Sequence, residues 1–310
     1  MRGGWSTLDY LMVLRPTLMI PVWTMLLAGY LRASSVGAIP NFILIPPGPL
    51  LYTLLLFSML MGFVYVLNQM TDVQSDVENE KLYLVAEGHV TRSILIAEMT
   101  LLILISGAMA TMRYGLRSVY IRLWLLSALM GLLYSVKPFR LKGKPFLDLL
   151  SNAFGYGCLA FGIGWVSASG YSGGMWLRSL PYFLCVASTF VNTTLLDVKG
   201  DQAVGDRTTG VVLGLRGSCR LSLFLLLAAL ISALWLRDLI PASASVVSLP
   251  FFIRMALNPE PSSISSATKF GITSFSMIVG IFVPLYIIWL FAILFFVRWY
   301  YRGRFGIRYP

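Results

Sequence analysis

Residues 50–67 read LLYTLLLFSMLMGFVYVL, without a single charge, and residues 68–80 continue NQMTDVQSDVENE, with four of the chain's 13 acidic residues. An uncharged run of this length suits a membrane crossing, which takes about 20 apolar residues. Carboxylates at the edge of such a span are expensive to hold near hydrocarbon and point to function. The fold class and the chemistry both turn on why this span ends in acids.

The rest of the chain agrees with a membrane setting. Over 310 residues, 57% are hydrophobic and 12% charged, with a mean hydropathy of +0.78, against about 25% charged in soluble domains. Cys158, Cys185 and Cys219 are scattered without paired spacing, so neither a disulfide frame nor a metal knuckle is indicated. One histidine, His89, excludes sites built from several imidazoles. The net charge of +11 is better explained by membrane topology than by nucleic acid. The opening MRGGWSTLDYLMVLRPT reads as the approach to a first span, not as a removable signal.

Hydrophobic windows predict spans near 11–32, 49–70, 91–112, 118–136, 146–169, 177–196, 217–237 and 241–257. A ninth lies in the segment 264–299, which Pro284 interrupts. It reads as a half-buried helix leading into one span. The expectation is an all-α, polytopic protein of about nine helices around a central cavity, a single domain of two related halves, 1–145 and 146–310. Of 24 Lys and Arg, six fall on one side (Arg32, Arg113, Arg117, Arg122, Arg178 and Arg237), four lie in the tail, and the remaining 14 sit on the other side. The basic side is predicted to be cytoplasmic. Most of the acids, Asp72, Asp76, Asp148, Asp197, Asp201 and Asp206 among them, fall on that side too.

Asn68, Asp72 and Asp76 recur at i, i+4 and i+8, one stripe of a helix with neighbours about 6 Å apart. Oxygen ligands without sulfur or imidazole suit a hard divalent cation, magnesium above all, which shares its coordination with substrate phosphates. About 120 residues on, DVKGDQAVGDRTTG repeats the pattern with Asp197 and Asp201, preceded by Asn192 and followed by Asp206. Two such runs facing each other would grip a diphosphate. The plainer reading, solvated acids at a span end, explains one run more easily than two. Between them, YSVKPFRLKGK carries Lys137, Arg140, Lys142 and Lys144 just after Tyr134. Beyond ordinary positive-inside bias, these cations could neutralise a leaving diphosphate.

NQMTDVQSD, DVKGDQAVGDRTTGVVLG, the YSVKPFRLK loop and the opening LRPTLMIPVWTMLLAGYL together resemble the UbiA superfamily of intramembrane prenyltransferases, over nearly the whole chain. The resemblance implies nine transmembrane helices and both aspartate motifs at the cytoplasmic mouth of a cavity. It also implies magnesium-dependent transfer of an isoprenoid chain from a polyprenyl diphosphate to an aromatic or lipid acceptor. Asn68, Asp72, Asp76, Asp197 and Asp201 would bind magnesium diphosphate, Arg140 and Lys142 would contact phosphate, and Arg15 would lie near the cavity. One departure stands out. After the first motif many members read Asn-Lys-x-x-Arg-Pro-Leu-x-x-Gly, whereas NEKLYLVAEG keeps Asn79, Lys81 and Gly88 but has Tyr83 and Leu84 for the Arg-Pro pair. Lys81 would then stand in for that arginine as a point charge.

The chemistry expected is ionisation of an allylic diphosphate in a dry pocket, with Tyr65, Tyr134, Phe154, Tyr156, Phe161 and Trp165 as candidate rings for the carbocation. Ser151 and Asn152 could contact the acceptor. Gly155, Gly157, Gly162 and Gly164 would permit close packing or leave room for the isoprenoid tail. A terpene cyclase of the same superfamily, needing no acceptor, is the alternative. A transporter would place its ionisable groups nearer the midplane of its spans, and the Asp-x-x-Asp-Gly-x-x-Ala-Arg run of CDP-alcohol phosphotransferases is absent.

Overall fold

A computed structural model describes residues 6–35, 37–78 and 83–309; Asn79, Glu80 and Lys81 lie outside the described residues. The described chain is helical, with no strand. A short helix α1 (Ser6–Val13) meets α2 (Pro16–Ser34) at a 41° bend. Then come α3 (Gly48–Glu78), the single turn α4 (Tyr83–Ala86), α5 (Arg92–Tyr114) and α6 (Val119–Ser135). A 3₁₀ turn at Leu141–Gly143 leads into α7 (Leu147–Ala153), which runs through a π-helical stretch, Phe154–Ala160, into α8 (Phe161–Ser169). The second half comprises α9 (Gly174–Leu196), the short α10 (Val198–Ala203), α11 (Thr209–Trp235), α12 (Leu239–Leu257), α13 (Pro261–Phe282) and α14 (Pro284–Phe305).

Among the described residues eight helices, counting α7–α8 as one, are each long and apolar enough to cross a membrane, and the bent α1–α2 pair makes a ninth. The 17-residue α6 is apolar but shorter. Helix α3 explains the opening stretch. Its 31 residues extend about 46 Å at 1.5 Å each, against a hydrocarbon core of about 30 Å. Its last three turns therefore project beyond the apolar layer and carry Asn68, Asp72 and Asp76.

The end of the chain differs from the sequence expectation. Instead of a half-buried helix and one span, residues 261–305 form two full-length helices separated at Val283. Pro284 starts α14 instead of kinking a longer helix, because proline lacks only an N–H that a first turn leaves unpaired anyway. Helix α14 runs back to the face that carries the aspartates. There Arg304 donates to buried Asp9 at 3.2 and 3.3 Å, the Tyr300 hydroxyl bonds the same carboxylate, and Tyr309 pairs with Thr17. The arginines of the tail thus join the basic side, which strengthens the charge asymmetry.

Two close crossings set the core. A Cβ on Gly164 would lie 1.8 Å from the Leu26 carbonyl oxygen, and one on Gly29 would lie 2.0 Å from that of Phe161. Only glycine lets α2 and α8 approach this closely, as small residues do at helix contacts in membranes. Around the contact pack Leu26, Leu27, Phe161, Ile163 and Tyr182, all fully buried. On the face away from the aspartates, buried Asp238 caps α12 at Ile240, accepts from Tyr182 at 2.9 Å and pairs with Arg32 at 3.4 Å, tying α2 and α9 to α12. Gly164→Ala is expected to destabilise the fold by about 1–3 kcal/mol through overpacking, read as a drop in thermal midpoint of the detergent-solubilised protein, while Gly155→Ala, with open space at its Cβ, leaves that midpoint unchanged.

Candidate functional site

A cavity of about 450 Å³ opens among the helices, and the acidic runs stand at its mouth. Asn68, Asp72 and Asp76 reach it from the projecting end of α3, and Asp197 and Asp201 from the end of α9 and from α10. The second run does not lie on one uninterrupted helix. Helix α9 ends at Leu196, Asp197 takes φ −106° and ψ 0°, and α10 restarts beyond it. The Asp201 N–H still bonds the Asp197 carbonyl at 3.0 Å, so the i, i+4 relation survives the break.

The basic loop docks across the same mouth. Arg140, itself left-handed at φ 37°, holds Asp206 in a two-pronged pair at 2.8–3.2 Å and lies 3.6 Å from Asp72. Lys142 Nζ pairs with Asp72. Gly143 allows the approach, since a Cβ there would lie 2.4 Å from Asp206 Oδ1. The loop is pinned from behind by buried Asp148, which accepts from the Thr209 backbone at 2.7 Å and from its hydroxyl at 2.5 Å. On the other wall Arg15 donates to Asn68 at 3.3 Å and to Asp76 at 3.4 Å. Its φ of 51° at the bend between α1 and α2 is uncommon for a residue with a side chain and marks local strain at this mouth.

Of the other residues singled out in the sequence, Tyr134 and Asn152 both line the cavity. Lys137 does not line it. The loop turns at Arg140, which leaves Lys137 beside Pro138 and Lys144 at a shallow hollow on the loop's outer side. Asn192 is fully buried, makes no side-chain hydrogen bond within the described residues and does not line the cavity. The reason is helical phase: Thr189 and Thr193 face the cavity, and Asn192 is turned about 100° from that row. Lys81 lies outside the described residues. Among the rings, Tyr65, Tyr134 and Tyr156 line the cavity, whereas Phe161 and Trp165 belong to the core and Phe154 stacks on Trp176. The Tyr65 hydroxyl donates to the Leu18 carbonyl at 2.9 Å, so Tyr156 donates to Tyr65 at 2.7 Å. Tyr156 and Gly155 lie in the π-helical stretch, a distortion often found at functional sites.

Sequence reading set Asp206 in the second acidic cluster without pairing it with Arg140, whose main partner it is, and gave no role to Asp9, which anchors α1, or to Thr208, which donates to Asp201 at 3.0 Å. No spacing rule connects residues 66 apart; only the docking of the two loops does. The donor set suits magnesium, being all oxygen. Among the described residues no three of His, Cys, Asp and Glu gather into a cage of their own.

A profile of the UbiA prenyltransferase family matches residues 18–270. The chain belongs to the UbiA prenyltransferase family. Its helices superpose on a UbiA homologue from Archaeoglobus fulgidus, solved with GPP and Mg2+, with a TM-score of 0.64 over 92% of this chain and 99% of that one, at 20% identity. In sequence it is 28% identical to the lycopene elongase/hydratase of Corynebacterium glutamicum over 55% of this chain and 61% of that protein. It is 27% identical to a C(50) beta-cyclic carotenoids biosynthesis protein of Dietzia sp. over 62% of this chain and 45% of that protein. The chain therefore matches about half to three fifths of the length of these UbiA-type relatives.

Lys142 lies in the loop, outside the spans. Its burial pushes the ammonium below the usual lysine value, with Asp72 beside it opposing the shift and Arg140 adding to it. An ammonium that binds an anion does so below its pKa and loses the contact as pH rises through it. The alkaline limb of kcat/KM is therefore expected below the free-lysine value. Lys142→Arg, whose charge persists, should move that limb upward, as a pH–rate profile would show.

Proposed function

We propose that this protein transfers an isoprenoid chain from a polyprenyl diphosphate to a hydrophobic acceptor, with magnesium and by ionisation of the diphosphate, at a site on the cytoplasmic face. One observation carries the reading: two separated acidic runs and a basic loop converge on the mouth of one apolar cavity. A phosphate head needs the first and an isoprenoid tail the second. That the UbiA homologue superposed above was solved with GPP and Mg2+ supports the same assignment.

In this reading Asn68, Asp72 and Asp76 on one wall, and Asp197 and Asp201 on the other, would hold magnesium. Bound there, the metal would neutralise the diphosphate and act as a Lewis acid on the oxygen that leaves. Arg15 already stands 3.4 Å from Asp76 and Arg140 3.6 Å from Asp72, with Lys142 paired to the same Asp72. They exchange a carboxylate for phosphate oxygens when the head group enters, so charge growing on the leaving group meets donors already in place. The allylic carbon then lies below Asn68, beside Tyr65, Tyr134 and Tyr156, whose ring faces favour a cation. Apolar walls exclude the water that would quench it. The concentration of Lys and Arg on the site's face supports a cytoplasmic site, by the positive-inside rule.

The test is turnover of labelled farnesyl and geranylgeranyl diphosphate by purified protein. Magnesium-dependent release of diphosphate is expected, abolished by EDTA and lowered at least about 100-fold, as for the loss of a preorganised charge-stabilising group, in Asp72→Ala and in Asp201→Ala. Full activity in EDTA, or in either variant, would overturn the assignment.

A further inference from the structure

The cavity wall says what kind of second substrate it can receive. Three cations border the cavity, Arg15, Arg140 and Lys142, against five aspartates. All three stand at the mouth, each beside a carboxylate, and in the reading above all three are needed by the diphosphate. Deeper in, the described wall carries no charge. Its polar groups are the Asn152 amide, a thiol and hydroxyls, on Ser127, Cys185, Thr189, Thr193 and Ser248 among others.

Those hydroxyls have little left to give an anion. Each has one proton to donate. Ser127 gives its own to the Leu123 carbonyl at 2.8 Å, Thr189 to that of Cys185 at 3.2 Å and Thr193 to that of Phe190 at 2.8 Å. Ser274 donates to the Gly271 carbonyl, so Ser248 donates to Ser274, at 2.8 Å. Apart from the Tyr134 hydroxyl and the Asn152 amide, the described wall therefore offers mainly lone pairs and apolar surface, and no cation below the mouth. A carboxylate seated there would be buried without a countercharge, a costly way to bury a charge.

We infer that the acceptor is an uncharged, lipid-soluble molecule whose nucleophile is a carbon–carbon π bond, and that carboxylate-bearing acceptors are rejected. This rests on the prenyl-transfer reading and narrows it. The allylic carbon–oxygen bond breaks and its electron pair leaves with the diphosphate. The acceptor's π pair forms the new carbon–carbon bond. The neighbouring carbon is left cationic, and a carbon bonded to it gives a proton to a diphosphate oxygen, its C–H electron pair becoming the new π bond. The cavity's hydroxyl lone pairs can accept from a neutral hydroxyl on such an acceptor, but they repel an anion.

The experiment gives the full chain, in detergent with magnesium and labelled farnesyl or geranylgeranyl diphosphate, three acceptors: 4-hydroxybenzoate, its methyl ester, and the linear polyene lycopene. Prenylated ester or polyene, with the free acid at least tenfold slower than the better neutral acceptor, is the expected result. Free acid within tenfold of that acceptor, or faster, overturns the inference. Magnesium-dependent diphosphate release with no neutral acceptor captured also overturns it, while leaving ionisation of the diphosphate standing. No magnesium-dependent release with any acceptor sinks the prenyl-transfer reading itself, and the inference with it.

Discussion

Charge compensation at the edge of an apolar layer is the constraint on which the rest of this structure depends. Five aspartates and three cations border one mouth, where the dielectric falls from that of water toward that of hydrocarbon. An unmatched charge there is expensive, and a matched one must be held in place by backbone that does not give way. The paired groups come from remote parts of the chain. Arg15 precedes α2, Asp72 and Asp76 end α3, Arg140 and Lys142 follow α6, and Asp206 precedes α11. Their meeting requires the helices to be brought into one register.

That register comes from features away from the charged mouth. Gly29 and Gly164 let α2 and α8 touch backbone to backbone, and Gly143 lets the basic loop close on Asp206. Asp148 and Thr209 staple the loop that follows α6 to the start of α11. At the other edge Asp238, Tyr182 and Arg32 close a smaller compensated cluster. The proposed diphosphate site would on this account be preorganised. The groups that would meet the growing negative charge are fixed before substrate arrives, by contacts substrate does not make.

The fold was largely legible in the sequence because lipid imposes a coarse rule. A backbone crossing hydrocarbon must satisfy its own hydrogen bonds, so long apolar runs become helices. Residues 50–67 announced α3, and the aspartates at i and i+4 announced its projecting end. The tail was misread because Pro284 in the middle of an apolar run reads equally as a kink or as a start. Its role is set by what α14 meets, Asp9 above all. The span expected from 217 likewise begins at Thr209 and bends at Gly214, whose φ of 63° no hydropathy window registers.

The sequence by itself determined that this chain lives in a membrane, that its acids gather on one face and that oxygen ligands recur twice at helical spacing. Those are properties of local composition and period, which chain order preserves. Only the tertiary structure decided which of the named residues share the cavity. It brought Arg140 to Asp206 and Arg15 to Asp76, turned Asn192 into the protein and left Lys137 outside. Helical phase and loop docking make those choices, and both depend on atoms far away along the chain. It also showed that the deeper wall's hydroxyls are already engaged by neighbouring groups, chiefly backbone carbonyls of their own helices. A list of serines and threonines cannot reveal that, because a hydroxyl's partner is set by its rotamer and not by its name.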